Sequence, residues 1–271
     1  MAKPTDPTVP SDPTSTDPTQ NPGQNLSRFA NLGFEDFRRM ASDASLSAWE
    51  KIGFPDSYRQ GVEQHIFTDI SRKLPALNST QQVVLDIGPG CSDLPRQLIE
   101  QCIRQQHRLV LIDSAEMLAL LPSGPGVEKL AARFPDCPEL IESLQGRVHA
   151  LLCYSVFQYI FAEANIWSFL DACMSLLAPG GAMLIGDIPN ISRRKRFFAS
   201  ETGIAYHKKF VGRDETPEVL FNRPEPELID DAVVMAVLAR CRAAGFDAYV
   251  VPQDPLLPMS NRREDILISR P

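Results

Sequence analysis

Nothing in this 271-residue chain supplies a metal cage or a disulfide frame. Its six cysteines (Cys91, Cys102, Cys137, Cys153, Cys173 and Cys241) are scattered and include no Cys-x-x-Cys pair. Several fall in predicted strands or on apolar helix faces, where a thiol acts as a small hydrophobe. We therefore expect no metal, and a reduced, cytoplasmic setting. No apolar run approaches the roughly 20 residues that cross a bilayer, and the N-terminus lacks the apolar core of a signal peptide, so no membrane partner is expected. Basic residues are the minority, 27 Lys and Arg against 34 Asp and Glu, for a net charge of −7. That balance argues against a nucleic-acid partner, which favours a basic face. A phosphate loop is excluded because no Gly-Lys-Ser/Thr follows any glycine-rich turn.

What remains is a globular composition, with 44% hydrophobic and 23% charged residues, and one informative segment. Val83-Val84-Leu85-Asp86-Ile87-Gly88-Pro89-Gly90-Cys91-Ser92-Asp93 is an apolar run ending in an acid, then a glycine turn, then the start of a helical pattern. It reads as the first strand–turn–helix unit of a doubly wound, mostly parallel α/β sheet. The glycines let the backbone pass close to a ligand. A dinucleotide fingerprint needs a third glycine, and Asp93 at that position would repel a pyrophosphate at the helix N-terminus. An adenosyl ligand without phosphates fits better.

Around that unit the chain divides into three parts. Residues 1–24 repeat Asp-Pro-Thr with almost no apolar side chains, a composition that cannot offset its chain entropy, so we expect a disordered tail. Residues 25–80 carry helical spacing with a break at Gly53-Phe54-Pro55-Asp56 and form an expected N-terminal helical cap. Trp49 and Tyr58 are candidate pocket residues there, although Trp49 fits an ordinary core role equally well. Residues 81–271 alternate strands and helices. Strands are expected at Val127–Ala132, Val148–Tyr154, Ala182–Asp187, Ala248–Gln253 and Asp265–Arg270, and helices at Ile166–Leu177 and Ile229–Ala244. Asp93 is the expected N-cap of the helix after the glycine turn. Residues 189–228 form an insertion of the length usual for lids and binding segments.

Asp86-Ile87-Gly88-Pro89-Gly90 resembles motif I of the class I S-adenosylmethionine-dependent methyltransferases. The acid which that family carries at the end of strand two is matched by Asp113 in Leu109-Val110-Leu111-Ile112-Asp113. Leu176-Leu177-Ala178-Pro179-Gly180-Gly181 is similar to a later family motif. One departure is Ser92, where the fuller pattern has a glycine. The resemblance implies a Rossmann-like seven-stranded sheet, a helical cap over the cofactor, a substrate lid, and S-adenosyl-L-methionine as cofactor. It assigns Asp86, Gly88 and Gly90 to the methionine part. Asp113 would accept the ribose hydroxyls, with Ser114 beside it as a further cofactor contact, although an acid there can also cap the helix beginning Ser114-Ala115-Glu116. Met117 and Phe134 are candidates for packing on adenine, or for simple core packing. Tyr154 and Ser155 would stand beside the transferring methyl. The family's Asn-Pro-Pro-Tyr signature is absent, which disfavours a DNA-base or protein-glutamine acceptor.

Methyl transfer from a sulfonium is an in-line displacement in which the protein chiefly orients and excludes water. Asp187, where strand five enters the cleft, could orient the acceptor or act as base, or merely cap a turn. His207 in the insertion could serve as base near neutral pH, or be solvated. Asn190, Arg262 and Arg263, with the run Arg193–Arg196, sit on segments expected to rim the cleft. Guanidinium forks suit phosphate or carboxylate, so the expected acceptor is a small, anionic molecule such as a sugar nucleotide, methylated on oxygen or nitrogen. The alternatives are a non-catalytic methyltransferase-like binding module and an NAD(P)-dependent oxidoreductase. The oligomeric state is open.

Overall fold

A computed structural model describes residue 29 and residues 32–223, 225 and 227–271; the Asp-Pro-Thr tail lies outside the described residues. The core is a seven-stranded sheet of β1 (Val83–Ile87), β2 (Arg108–Asp113), β3 (Val127–Ala131), β4 (Val148–Tyr154), β5 (Leu177–Pro189), β6 (Asp247–Val251) and β7 (Arg263–Ser269), in the order β3-β2-β1-β4-β5-β7-β6. β1 to β5 pair in parallel, and β7 runs antiparallel to both β5 and β6. The chain adds β2 and β3 on one side of β1, then crosses to β4 on the other. Ligands of such sheets bind beyond the carboxyl ends of the strands at this reversal.

Strand alternation divides the core into two layers. Leu85, Ile87, Val110, Ile112, Leu151 and Ile185 pack against α8 (Phe157–Glu163), α9 (Ile166–Leu176) and α12 (Asp231–Ala243). Val84, Leu109, Leu111, Leu152 and Leu184 pack against α4 (Glu63–Lys73) and α5 (Asp93–Arg104). All six cysteines are free and buried, as apolar packing requires.

The cap consists of α1 (Phe34–Ser42), α2 (Ala48–Lys51), α3 (Asp56–Arg59) and α4. Four of its polar contacts tie it to the sheet domain. Arg38 pairs with Glu116 on α6 (Ala115–Ala119), Arg59 with Asp187, Lys73 with Asp265 on β7, and Glu63 accepts the Leu94 N–H at 3.0 Å. That last bond corrects one expectation. Ser92, not Asp93, is the N-cap of α5, and Asp93 is its first helical residue; with Glu63 supplying an acceptor from the cap, an orphan N–H of the first turn is met without a local side chain. The short helix α7 (Pro138–Leu144) completes that part of the chain.

The insertion also differs from a loop. β5 continues to Pro189, and two helices follow, α10 (Ile191–Ala199) and α11 (Glu201–Val211). Their starts are written locally, since Asn190 Oδ1 accepts from Arg193 N–H and Ser200 Oγ from Gly203 N–H. Among the described residues no helix is long and apolar enough to cross a membrane.

Candidate active site

The carboxyl ends of β1, β2 and β4 open into a cavity enclosing about 1040 Å³ including its mouth. Gly88, Gly90, Asp113, Met117, Phe134, Tyr154 and Ser155 line it, so seven of the nine expected cofactor residues meet in one place. The turn after β1 is locked to β2, with Gly88 N–H donating to Ile112 O at 2.8 Å and Gly90 N–H to Asp113 Oδ2 at 3.0 Å. Asp113 Oδ1 accepts from Ser114 N–H at 2.7 Å, and Ser114 Oγ caps α6 through Met117 N–H. Burial raises the Asp113 pKa to about 6, with the two amides opposing the rise. Each carboxylate oxygen thus has one lone pair fixed by the protein and further capacity toward the cavity. Asp86 stands behind this surface, 3% exposed. Burial and the neighbouring Asp113 charge push its pKa to about 8, with no hydrogen bond to offset them.

The turn must be glycine for two separate reasons at Gly90. Its φ is +68°, and an added Cβ would stand 2.6 Å from Ile52 Cγ2 of the cap. We expect Gly90→Ala to cost about 2–4 kcal/mol, from left-handed backbone strain and overpacking together. In an Ile52→Ala background urea denaturation should show a smaller increment. An unchanged increment would mean that Ile52 is not what the new methyl meets.

Beneath the cavity lies a buried ionic network. Arg59 Nη2 donates to Asp187 Oδ2 at 2.8 Å and to Ser155 Oγ at 2.6 Å, while Ser155 Oγ donates to Asp187 Oδ2 at 2.5 Å. Asp187 N–H donates to Asp265 Oδ1, which also accepts from Gln253, and Lys73 joins Asp265 Oδ2 to Asp69. Arg263 Nη1 donates to Asp187 O at 2.9 Å. Ser155 and Asp187 both hold positive φ, +62° and +57°, at the adjacent ends of β4 and β5. Such strain persists only where surrounding structure fixes it. The Arg59 guanidinium lies 4.2 Å from the Phe54 ring centroid, and its buried Nε has no hydrogen-bond partner.

The expected acceptor residues are placed elsewhere. Asp187 is 3% exposed, does not line the cavity, and its carboxylate is bound by Arg59 and Ser155. Asn190 is spent on structure: its Oδ1 caps α10, and its Nδ2 donates to Asp231 and Glu264. Arg263 is committed to Asp187 O, and Arg262 lies over the Phe198 and Tyr206 rings. His207 is helical, on α11, and lines a second cleft with Arg194, Phe198 and Glu225. None of these residues lines the cavity: Asp187, Asn190 and Arg263 are bonded within the fold, and Arg262 and His207 lie against the aromatic side chains of α10 and α11. Conversely, the cavity is roofed by residues that sequence reasoning missed: Phe34, Phe37, Ile52, Phe54, Arg59 and Glu63. Trp49 and Tyr58 are not among its lining residues.

No known family profile matches the sequence, and no curated protein matches it. Among solved structures, the plantazolicin methyltransferase BpumL, in a complex with a triazolic desmethylPZN analogue and SAH, superposes with a TM-score of 0.51 at 13% identity, covering 92% of this chain and 99% of that one. This chain has the methyltransferase fold. N-methyltransferase NodS from Bradyrhizobium japonicum with S-adenosyl-l-homocysteine aligns at TM-score 0.49 and 12% identity, over 88% of this chain and 98% of that one. A SAM-dependent methyltransferase from Aquifex aeolicus aligns at 0.47 and 18%, over 81% and 95%. The expected fold class, a Rossmann-like seven-stranded sheet, is therefore observed both in topology and by comparison.

Proposed function

We propose that the protein is an S-adenosylmethionine-dependent methyltransferase acting on oxygen or nitrogen of a small, anionic molecule. One observation carries the cofactor reading. A carboxylate at the end of β2, Asp113, is held by the Gly90 and Ser114 amides at the edge of a largely apolar cavity, beside a turn with two glycines. That arrangement suits a neutral diol attached to a flat heterocycle. Asp113 would accept the ribose hydroxyls, and Met117, Ile112 and Phe134 would enclose the adenine. Arg59 lines the cavity and its unpartnered Nε supplies a donor for an amino-acid end; Asp86, just behind the cavity wall, is the acid we assign to the ammonium.

The cofactor, when bound, supplies a methyl group already activated on a sulfonium. The chain's own residues then have three tasks. Gly88 and Gly90 let the backbone approach, Phe34, Phe37, Ile52 and Phe54 exclude water, and Arg59 and Ser155 orient the reacting end. Proximity of this kind is worth roughly 7–11 kcal/mol of barrier. Asp187 we assign as a positioning residue for Arg59 and Ser155, because its carboxylate is already bound by both.

Calorimetry with S-adenosylhomocysteine tests the reading. Asp113→Ala should weaken binding by roughly ten- to a hundred-fold, since hydrogen bonds to a charged acceptor contribute about 1.5–3 kcal/mol. No binding by the native chain, or equal binding by the variant, rejects the assignment. Passage of labelled methyl groups into a metabolite extract separates an enzyme from a pure binder.

A further inference from the structure

The two basic segments of the sequence do not behave alike in the folded protein. Arg193 pairs with Glu264, Lys195 with Glu225 at 3.1 Å, Arg196 with Asp231, and Arg263 with Asp187. Arg194 and Arg262 have no ion pair among the described residues, and these are the two that the fold brings together. Arg194 Cζ lies 5.1 Å and Arg262 Cζ 5.9 Å from the centroid of the same ring, Phe198. The edge of that ring also meets His207, with centroids 6.1 Å apart, and His207 Nε2 is buried with no hydrogen-bond partner. Three nitrogen-bearing side chains, from α10, α11 and the turn before β7, thus converge, and neither arginine has an ion pair among the described residues, although Glu225 lies close enough to act on Arg194. Like charges held close are costly unless something else neutralises them; burial and then Arg262 lower the Arg194 pKa, against the opposing charge of Glu225.

We infer that Arg194, Arg262 and His207, gathered around Phe198, form a subsite for an oxyanion of the acceptor, a carboxylate or a phosphate. The cleft that Arg194, Phe198 and His207 line has room for such a group, about 780 Å³ with its open mouth, and Pro217, Val219 and Leu220 line it too; Arg262 reaches it through the Phe198 ring and is not itself in its lining. Three acids also border it: Glu225 is paired with Lys195, Glu215 stands 3.7 Å from Arg213, and Glu218 is exposed at the mouth, so an incoming anion must be held against it. Arg262 also acts electrostatically on Tyr58, the neighbour of the cavity residue Arg59. Planar guanidinium forks bind carboxylate and phosphate in a bidentate manner. The inference rests on the methyltransferase reading for the word acceptor, and only for that.

The test is a titration of the full chain with inorganic phosphate and with sodium acetate, each against sodium chloride at matched ionic strength, followed by NMR of the arginine Nε–Hε signals. A saturable shift with phosphate, acetate or both is expected, weakened at least ten-fold in Arg194→Gln and in Arg262→Gln, with His207→Gln as an independent third variant. Phosphate alone assigns a phosphorylated acceptor, and acetate alone a carboxylated one. No saturable shift with either anion, a shift that chloride reproduces, or one that survives all three substitutions overturns the subsite. Binding of S-adenosylhomocysteine, measured in parallel, should be unchanged by the three variants. If that ligand fails to bind while the anions do, the methyltransferase reading falls and the subsite stands.

Discussion

Asp187→Asn should destabilise the protein by about 3–5 kcal/mol at neutral pH, the range for removing one partner of a buried ion pair. Asparagine is the informative replacement because it tolerates the left-handed backbone that this position holds, φ +57°, so that the loss measured is that of charge and not of conformation. Without the carboxylate, Arg59 keeps only Ser155 as a partner, and Arg263, 3.6 Å from Asp187 Oδ2, loses its neighbouring charge too. Arg59→Ala should cost less, because Arg263 still faces the abandoned Asp187. The double variant should fall short of the sum of the single ones, the mark of direct coupling. Urea denaturation with constant m-values checks all three. A loss under about 1 kcal/mol in Asp187→Asn would mean that the network does not hold the cap to the sheet.

This network also marks where sequence reasoning ran out. The β1 turn and Asp113 are legible because their signals are local: an apolar run, glycines, and an acid at a strand end. Arg59 gave no such signal. It sits in a short polar helix, and it is buried only because Asp187, 128 residues later, neutralises it. The same holds for Phe37, whose helical spacing identifies an apolar face without saying that the face roofs a cavity, and for Phe34 and Ile52, which fall outside that spacing. Asn190 misled for the opposite reason. An asparagine just after a strand has the chemistry of a binding residue, but the residues after it form a helix, and its side chain caps that helix. His207 reads as a loop residue because it lies in the long insertion of residues 189–228. Two capped helices, α10 and α11, supply the order instead.

Asp86 provides the second large effect, in pH. The unfolded chain releases the Asp86 proton near 3.8 and the folded, ligand-free chain near 8. Between those values the folded state holds the extra proton, so this residue makes stability fall as pH rises through the window. The cause is burial next to Asp113 without a hydrogen bond, and a cation placed beside the carboxyl would remove it. If the ammonium of S-adenosylhomocysteine occupies that position, binding must expel the proton. Affinity should then climb about ten-fold per pH unit well below pH 8 and flatten as pH 8 is reached, about fifty-fold in all between 6 and 8. Calorimetry at pH 7 in buffers of differing ionisation enthalpy should register about one proton released per ligand bound. Asp86→Asn should lose both the proton release and the slope, while gaining stability above pH 8, where the native acid is forced to ionise in the interior. A native chain that binds the ligand with no proton release would place the ammonium elsewhere, and would leave Asp86 as a buried neutral acid of the first strand.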